Sequence, residues 1–420
     1  MKKSSAAIFD SLSDGIKSLV ELDWSIFMSD EAVMPVLEES IIGGFLGHAI
    51  GDALGVPAEF TPRTYLKNHP VTGMGYANEL MEDRQPVGSW SDDSSLTFCL
   101  AESLCNGYNT ADIADKFQRW LKQAYWTAHH VVFDVGISTS IAIDNMGKGI
   151  PLTECGLSHE GNNGNGGLMR ILPLVYFLCW RNPIERLKIV HEVTELTHAH
   201  PRSLIASAIY IEFLTYVLFG IKPKVAYTRM QKSIQFIYTN AKASYRDELY
   251  HFSRILQANI YELPETGIQS SGYVLHTLEA SLWAFLTHDN YRDTVLTAVN
   301  LGEDSDTTSA VAGGMAGLYY GVQAIPRDYL MLVARRDDII DLAKRFSVYL
   351  RTMPVTPILN QESRVSSENE SDHFLTSLST PANMDCPERV RPPNNVSATA
   401  FSPVLADSLP KLCPPSCSLG

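Results

Sequence analysis

Positive charge is scarce in this 420-residue chain: 33 lysines and arginines stand against 47 aspartates and glutamates, a formal net charge of −14. No basic stretch compensates the excess, so binding to a nucleic-acid backbone is not expected. A small anion needs only a few backbone amides and stays within reach. Cysteines are few and scattered. Cys99, Cys105, Cys155, Cys179, Cys386, Cys413 and Cys417 are odd in number and form no CxxC pair, against a disulfide framework or zinc site and in keeping with a reducing cytoplasm. An export signal is also missing: behind Met1-Lys2-Lys3, residues Ser4, Asp10, Ser11 and Asp14 break any apolar run. The apolar stretch Ser203 to Ile221 raises a membrane question, but Glu212 lies mid-span and Arg202 and Lys222 flank it without one-sided bias. A buried helix is expected there, with no membrane involved.

Strand-like alternation is nearly absent, and helical spacing takes its place. Leu96, Leu100 and Leu104 recur at four-residue intervals, as do Leu278, Leu282 and Leu286 after Leu275. Leu187, Val190 and Leu196 mark a third apolar face. Between Thr308 and Tyr320, Ala310, Gly313, Gly314 and Gly317 gather small side chains that let another helix approach closely. The expected architecture is all-α: a single compact domain over residues 37–350, an N-terminal extension over 1–36, and a Ser/Pro-rich tail over 351–420. The tail has no sustained apolar period and is expected to be disordered. In the extension, Ile16, Leu19, Val20 and Leu22 are spaced for a short docked helix.

Two acidic clusters stand about two hundred residues apart, Trp90-Ser91-Asp92-Asp93-Ser94 and Glu303-Asp304-Ser305-Asp306-Thr307. Each precedes a helical pattern and mixes carboxylates with hydroxyls, the oxygen-rich set that magnesium or manganese prefers. Helix capping by Asp and Ser is the plainer account of either cluster alone. Glycine recurs every four residues through Gly43, Gly47, Gly51 and Gly55, a bare helical stripe suited to close packing or close access to a ligand. Glu59 follows just beyond it, either a solvated loop carboxylate or a site residue. A second glycine run, Gly161 to Gly167, can free backbone amides for phosphate or simply be a flexible loop. His198 and His200 are two apart, so on a helix they diverge and do not share one ion; hydrogen bonding near a ligand and capping both remain open.

Together, the segments Gly43–Phe60, Gly88–Leu104, Asp134–Gly136, Gly164–Arg170, Thr197–Pro201, Gly272–Leu286 and Asn300–Gly321 resemble the ADP-ribosylglycohydrolase family, of the dinitrogenase reductase-activating type. The resemblance covers roughly three hundred residues in the family's order. It implies an orthogonal all-α fold with a cleft holding two Mg2+ or Mn2+ ions, ligated by Ser91, Asp92 and Asp93 from one cluster and Asp304, Asp306 and Thr307 from the other. By the same resemblance Glu59 and Asp134 lie near the reacting ribose. Gly164, Asn165 and Gly166 take the diphosphate, His198 lies near the ligand, and Tyr273 stacks on adenine. Asp92, Asp93 and Asp306 then count as catalytic together with Glu59 and Asp134.

The expected activity is metal-dependent removal of ADP-ribose from a modified protein side chain, with arginine the default linkage, by a cytoplasmic monomer. Hydrolysis of a small ADP-ribosyl metabolite or of a nucleic-acid linkage is the alternative, as is an ADP-ribose-binding module without turnover. One departure stands out. The family pattern has glycine before Asp304, where this chain has Glu303, a fifth carboxylate beside the metals that would be strained if the position is left-handed.

Overall fold

The computed structural model describes residues 33–78 and 85–353, with side chains from Leu37 onward. All of these belong to one compact unit. The expected N-terminal helix lies outside the described residues, as does the Ser/Pro-rich tail after Met353, while Arg351 and Thr352, expected to begin the tail, end the last described helix. Among those described there is no strand, only two isolated bridges, Leu157 with His198 and Gly164 with Tyr273. The all-α expectation is met. Among the described residues, eleven helices reach ten residues or more: α1 (Val33–Gly55), α2 (Asp92–Leu104), α3 (Thr110–Gln123), α4 (Ile137–Gly147), α5 (Pro183–Glu195), α6 (Pro201–Leu218), α7 (Pro223–Thr239), α8 (Val274–Thr287), α9 (Tyr291–Asn300), α10 (Ser305–Tyr320) and α11 (Arg336–Thr352).

The centre is the pair α1 and α10, which touch backbone to backbone. A Cβ placed on Gly43 or Gly47 would run into the carbonyl oxygen of Gly317 or Gly313, and the reverse holds for Gly313 and Gly317 against α1. The glycine stripe therefore serves close packing rather than ligand access. Hydroxyls complete the seam: Ser309 Oγ donates to the Gly51 carbonyl at 2.6 Å and Ser305 Oγ to the Gly55 carbonyl at 3.0 Å. These bonds hold the last turn of α1 against the first turn of α10. Around the seam, α8 and α9 flank α10 and α11 covers α1. Phe45 of α1 meets Phe98 and Tyr176 edge-on at 6.0 Å and stacks on Phe346 of α11 at 6.1 Å.

The apolar stretch after Ser203 forms α6, packed between α5 and α7, with Glu212 buried in an ion pair to Arg186 at 2.7 Å. Among the described residues it is instead Leu37–Ala58 that is long and apolar enough to cross a membrane, and 89% of its most apolar window is buried inside the protein. That segment is the domain's core helix.

The seam predicts a sharp position dependence. Gly47→Val should destabilise the protein by about 1–3 kcal/mol through overpacking. Gly73→Ala, where a Cβ meets only ordinary contact with Tyr329, should stay within about 0.5 kcal/mol. Urea unfolding of both variants measures the difference.

Candidate functional site

Because α1 ends where α10 begins, carboxylates from three helices meet in the interior. Ser91 is the N-cap of α2, its Oγ accepting from the Asp93 amide at 3.4 Å. Asp304 holds the corresponding place before α10, yet its side chain makes no cap bond. The capping account thus covers Ser91 and fails for Asp304, whose carboxylate instead accepts from Asn165 Nδ2 at 2.9 Å. The two clusters touch directly: Asp93 Oδ2 accepts from Ser91 Oγ at 3.0 Å and from Thr307 Oγ1 at 3.3 Å. Both helix N-termini favour negative charge beside them.

Two groups of carboxylates adjoin at Asp306. One oxygen each from Asp52, Asp93 and Asp306 lie within 4.8 Å of one another, and so do oxygens of Glu59, Asp134 and Asp306. Flanking them, Asp92 lies beside the backbone of Gly136, which favours its charged form. Burial raises Asp92, Asp93 and Asp306 well above the usual carboxylate range, and neighbouring carboxylates push in the same direction. Glu59 is pushed up to about 9 by burial and then by Asp134, Asp304 and Asp52. Asp134 rises to about 6, again through burial first and Asp304 second.

A cation fits this donor set. Asp93 Oδ1, Asp304 Oδ1 and both Asp306 oxygens are buried without a hydrogen-bond partner. A buried carboxylate oxygen left so costs free energy that a divalent ion would offset. The donors are all oxygen, which suits a hard cation and not a thiophilic one.

Asp52 escaped the sequence reasoning. Its Oδ1 accepts the Ser91 amide at 2.9 Å, and its Oδ2 accepts the Ser94 amide at 3.0 Å and the Ser94 hydroxyl at 2.7 Å. It orients the N-terminus of α2 and contributes an oxygen to one carboxylate group. The signal was available: Asp52 is the only acid between Ile41 and Gly55, and a lone carboxylate on a buried helix must have partners.

Residues 34–355 match the family model described as ADP-ribosylglycohydrolase. The chain belongs to the ADP-ribosylglycohydrolase family. Its members are hydrolytic enzymes acting on glycosyl bonds. An "ADP-ribosylarginine hydrolase Tri1" of Serratia proteamaculans is 31% identical over 318 residues, covering 72% of this chain and 77% of the relative. An "ADP-ribosyl-[dinitrogen reductase] glycohydrolase" of Rhodospirillum rubrum is 29% identical over 304 residues, covering 70% and 90%. A solved structure, "ADP-ribosylglycohydrolase-related protein complex", superposes with a TM-score of 0.59 at 30% identity, covering 74% of this chain and 98% of that one.

With the family in hand, the expected ligand residues can be placed. The glycine loop is zipped to the segment before α8: the Asn165 amide donates to the Gly272 carbonyl at 3.1 Å and the Val274 amide to the Asn163 carbonyl at 3.0 Å. Asn165 spends its side chain as well as its amide internally, on Thr277 and Asp304. It works as a strut between loop and carboxylates. Gly166 must be glycine, since a Cβ would come within 2.8 Å of His198 Cε1 and 2.9 Å of Thr139 Oγ1. His198 is accordingly a buried support under the loop, bonded to Thr197 Oγ1 at 2.8 Å and lowered to about 3 by burial and then Arg170. His200 points elsewhere and caps α6 through the Arg202 amide. Tyr273 is half-buried, its hydroxyl accepting from Arg202 at 3.1 Å and its ring edge-on to His276.

Glu303 does sit in a left-handed backbone, with φ 58°, and opposite it Phe60 has φ 54°. The two are locked together: the Phe60 amide donates to the Glu303 carbonyl at 2.6 Å, and the Glu303 amide to the Thr61 carbonyl at 2.9 Å. This clasp ties the loop carrying Glu59 to the loop carrying Asp304. Glu303 itself is exposed. Asp134, at φ 51°, is a third strained residue at the site.

Two predictions arise here. Glu303→Gly removes a left-handed cost of about 1–2 kcal/mol and adds unfolded-chain entropy of about 0.4–1 kcal/mol, so a net gain of up to about 1.6 kcal/mol is expected by urea titration. The second is pH dependence in chelator. Carboxylates raised in the folded state hold protons the unfolded chain releases, so their contribution is fully present below their ordinary values near 4. It is lost as pH rises through about 6 for Asp52 and Asp134 and about 9 for Glu59. The metal-free protein should therefore melt at progressively lower temperature from pH 5 to 9. Asp306→Asn should flatten that slope, and an unaltered slope in the variant would count against the cluster as its source.

Proposed function

We propose that the protein removes ADP-ribose from arginine side chains of modified proteins, with two divalent cations, Mg2+ or Mn2+, held by Ser91, Asp92, Asp93, Asp304, Asp306 and Thr307. Asp52 is close enough to join them. The observation that carries this is the pair of carboxylate groups sharing Asp306, with buried oxygens that have no other partner. The names of the Serratia and Rhodospirillum relatives favour the arginine linkage and a protein substrate. When bound, such a metal pair supplies Lewis acidity toward ribose hydroxyls and water.

The chain's own residues account for the rest. The glycine loop and Tyr273 hold the ADP portion, and Asn165 fixes that loop to Asp304, so ligand and carboxylates share one frame. Hydrolysis breaks the bond between ribose C1 and the guanidinium nitrogen, whose electron pair leaves with the nitrogen. The oxygen of water bonds to C1. Its released proton passes through Glu59 or Asp134, the two carboxylates that border open space, to the departing guanidine, which ends as guanidinium.

Incubation with peptides ADP-ribosylated on arginine or serine, and with ADP-ribosylated nucleobases, tests the proposal. Release of ADP-ribose from the arginine linkage is expected with Mg2+ or Mn2+ and its loss with chelator. Asp92→Ala should lower turnover at least about 100-fold while leaving helix content intact. Full magnesium affinity in Asp92→Ala, or no release from arginine, would sink it.

A further inference from the structure

Arg202, in the first turn of α6, is 5% exposed, and each of its three guanidinium nitrogens donates a hydrogen bond. Nε donates to Glu248 Oε2 at 2.8 Å and Nη1 to the Tyr273 hydroxyl at 3.1 Å. Nη2 donates to His251 Nε2 at 2.7 Å and to Glu160 Oε1 at 3.4 Å. An arginine has no acceptor, so the short contact fixes His251 with a bare Nε2 facing the guanidinium. With two carboxylates as partners the cation is neutralised where it lies, and no nitrogen is left unengaged to turn toward a phosphate.

The arms of this hub are unequal. The Glu160 side chain is 71% exposed and its bond is the longest, so that arm is weak. Glu248 is mostly buried and lies 3.7 Å from His251 and 4.0 Å from His200, which brace it in turn. The Tyr273 hydroxyl is what the braced guanidinium holds. Tyr273 has few other restraints: it precedes α8 without a side-chain cap bond, and its ring edge meets His276 at right angles with centroids 5.0 Å apart. The next residue of α6, Ser203, donates to Asn163 Oδ1 at 3.0 Å. The first turn of α6 thereby fixes the glycine loop and the tyrosine paired with it through the Gly164 bridge.

We propose that Arg202 is a positioning residue for ADP-ribose, which holds the Tyr273 ring in place for the ADP portion without touching the ligand. The inference rests on the reading of Tyr273 as a platform for that portion and adds what keeps the platform still. A ring bonded at its tip and braced at its edge has its rotamer set before the ligand arrives, so binding does not have to order it. Without the Arg202 bond, that ordering falls to the ligand.

The test is a double-mutant cycle on the full-length protein with Mg2+, read as the Kd for ADP-ribose. Tyr273→Phe keeps the ring and removes the bond to Arg202. It should weaken binding about three- to tenfold, the cost of ordering one side chain. Arg202→Met should cost a similar factor alone but less than about twofold in the Tyr273→Phe background. With α-ADP-ribosylarginine as substrate, the Arg202→Met loss should appear in KM rather than kcat. Should Arg202→Met fail to fold, Arg202→Gln, which leaves Glu248 a neutral donor, completes the cycle. Losses that simply add overturn the proposal, as does a loss confined to kcat. Tyr273→Ala separates the two readings. Weak binding there beside normal binding in Tyr273→Phe overturns the role of Arg202 alone, and normal binding in Tyr273→Ala overturns the platform with it.

Discussion

No side chain separates α1 from α10 along the glycine stripe, and every feature of the site depends on that approach. Had ordinary residues occupied Gly51 and Gly55, the end of α1 would stand off the first turn of α10 by the width of a side chain. Asp52 and Glu59 would then miss the carboxylates at 304 and 306 by several ångströms. The hydroxyls of Ser305 and Ser309 do a related job, because each bonds a carbonyl of α1 and fixes the register of the two helices. Close backbone approach is thus the means by which residues two hundred and fifty apart in sequence become neighbours to within hydrogen-bond precision.

That arrangement opposes folding as well as enabling function. Seven carboxylates gathered at the site, Asp52, Glu59, Asp92, Asp93, Asp134, Asp304 and Asp306, lie above their ordinary range through burial first, and most are raised further by one another's charge. The large apolar core around Phe45, Phe98 and Trp90 supplies the stability that tolerates this. Two further concessions lie at the same place, the left-handed Asp134 and the left-handed pair Phe60 and Glu303. Strain that the surrounding fold over-determines is characteristic of sites where position matters more than local comfort.

Much of this was legible in the chain. Helical spacing of leucines gave the all-α class, and the two hydroxyl-rich acidic clusters pointed to an oxygen-ligand site at helix starts. The glycine stripe left two readings open, and only the packing of α1 on α10 decides between them. Asp52 stands out only as a lone acid on a buried helix, and its partners, the amides and hydroxyl of Ser91 and Ser94, are some forty residues away and leave no spacing that would name them. The resemblance places Asn165 in the diphosphate loop, but its bonds to Gly272, Thr277 and Asp304 are all long-range and invisible to local pattern.

Asn165 also explains how ligand and carboxylates can act together. Its side-chain amide reaches Asp304 Oδ2, leaving Oδ1 without a partner, so the strut orients that oxygen without consuming it. Behind the loop, Arg170 grips the Gly166 carbonyl and lies close enough to Asp92 to feel its charge. One buried cation and one amide therefore connect the glycine loop to each of the two helix N-termini. These contacts hold the glycine loop against both carboxylate clusters with the rigidity that a closely packed interior provides.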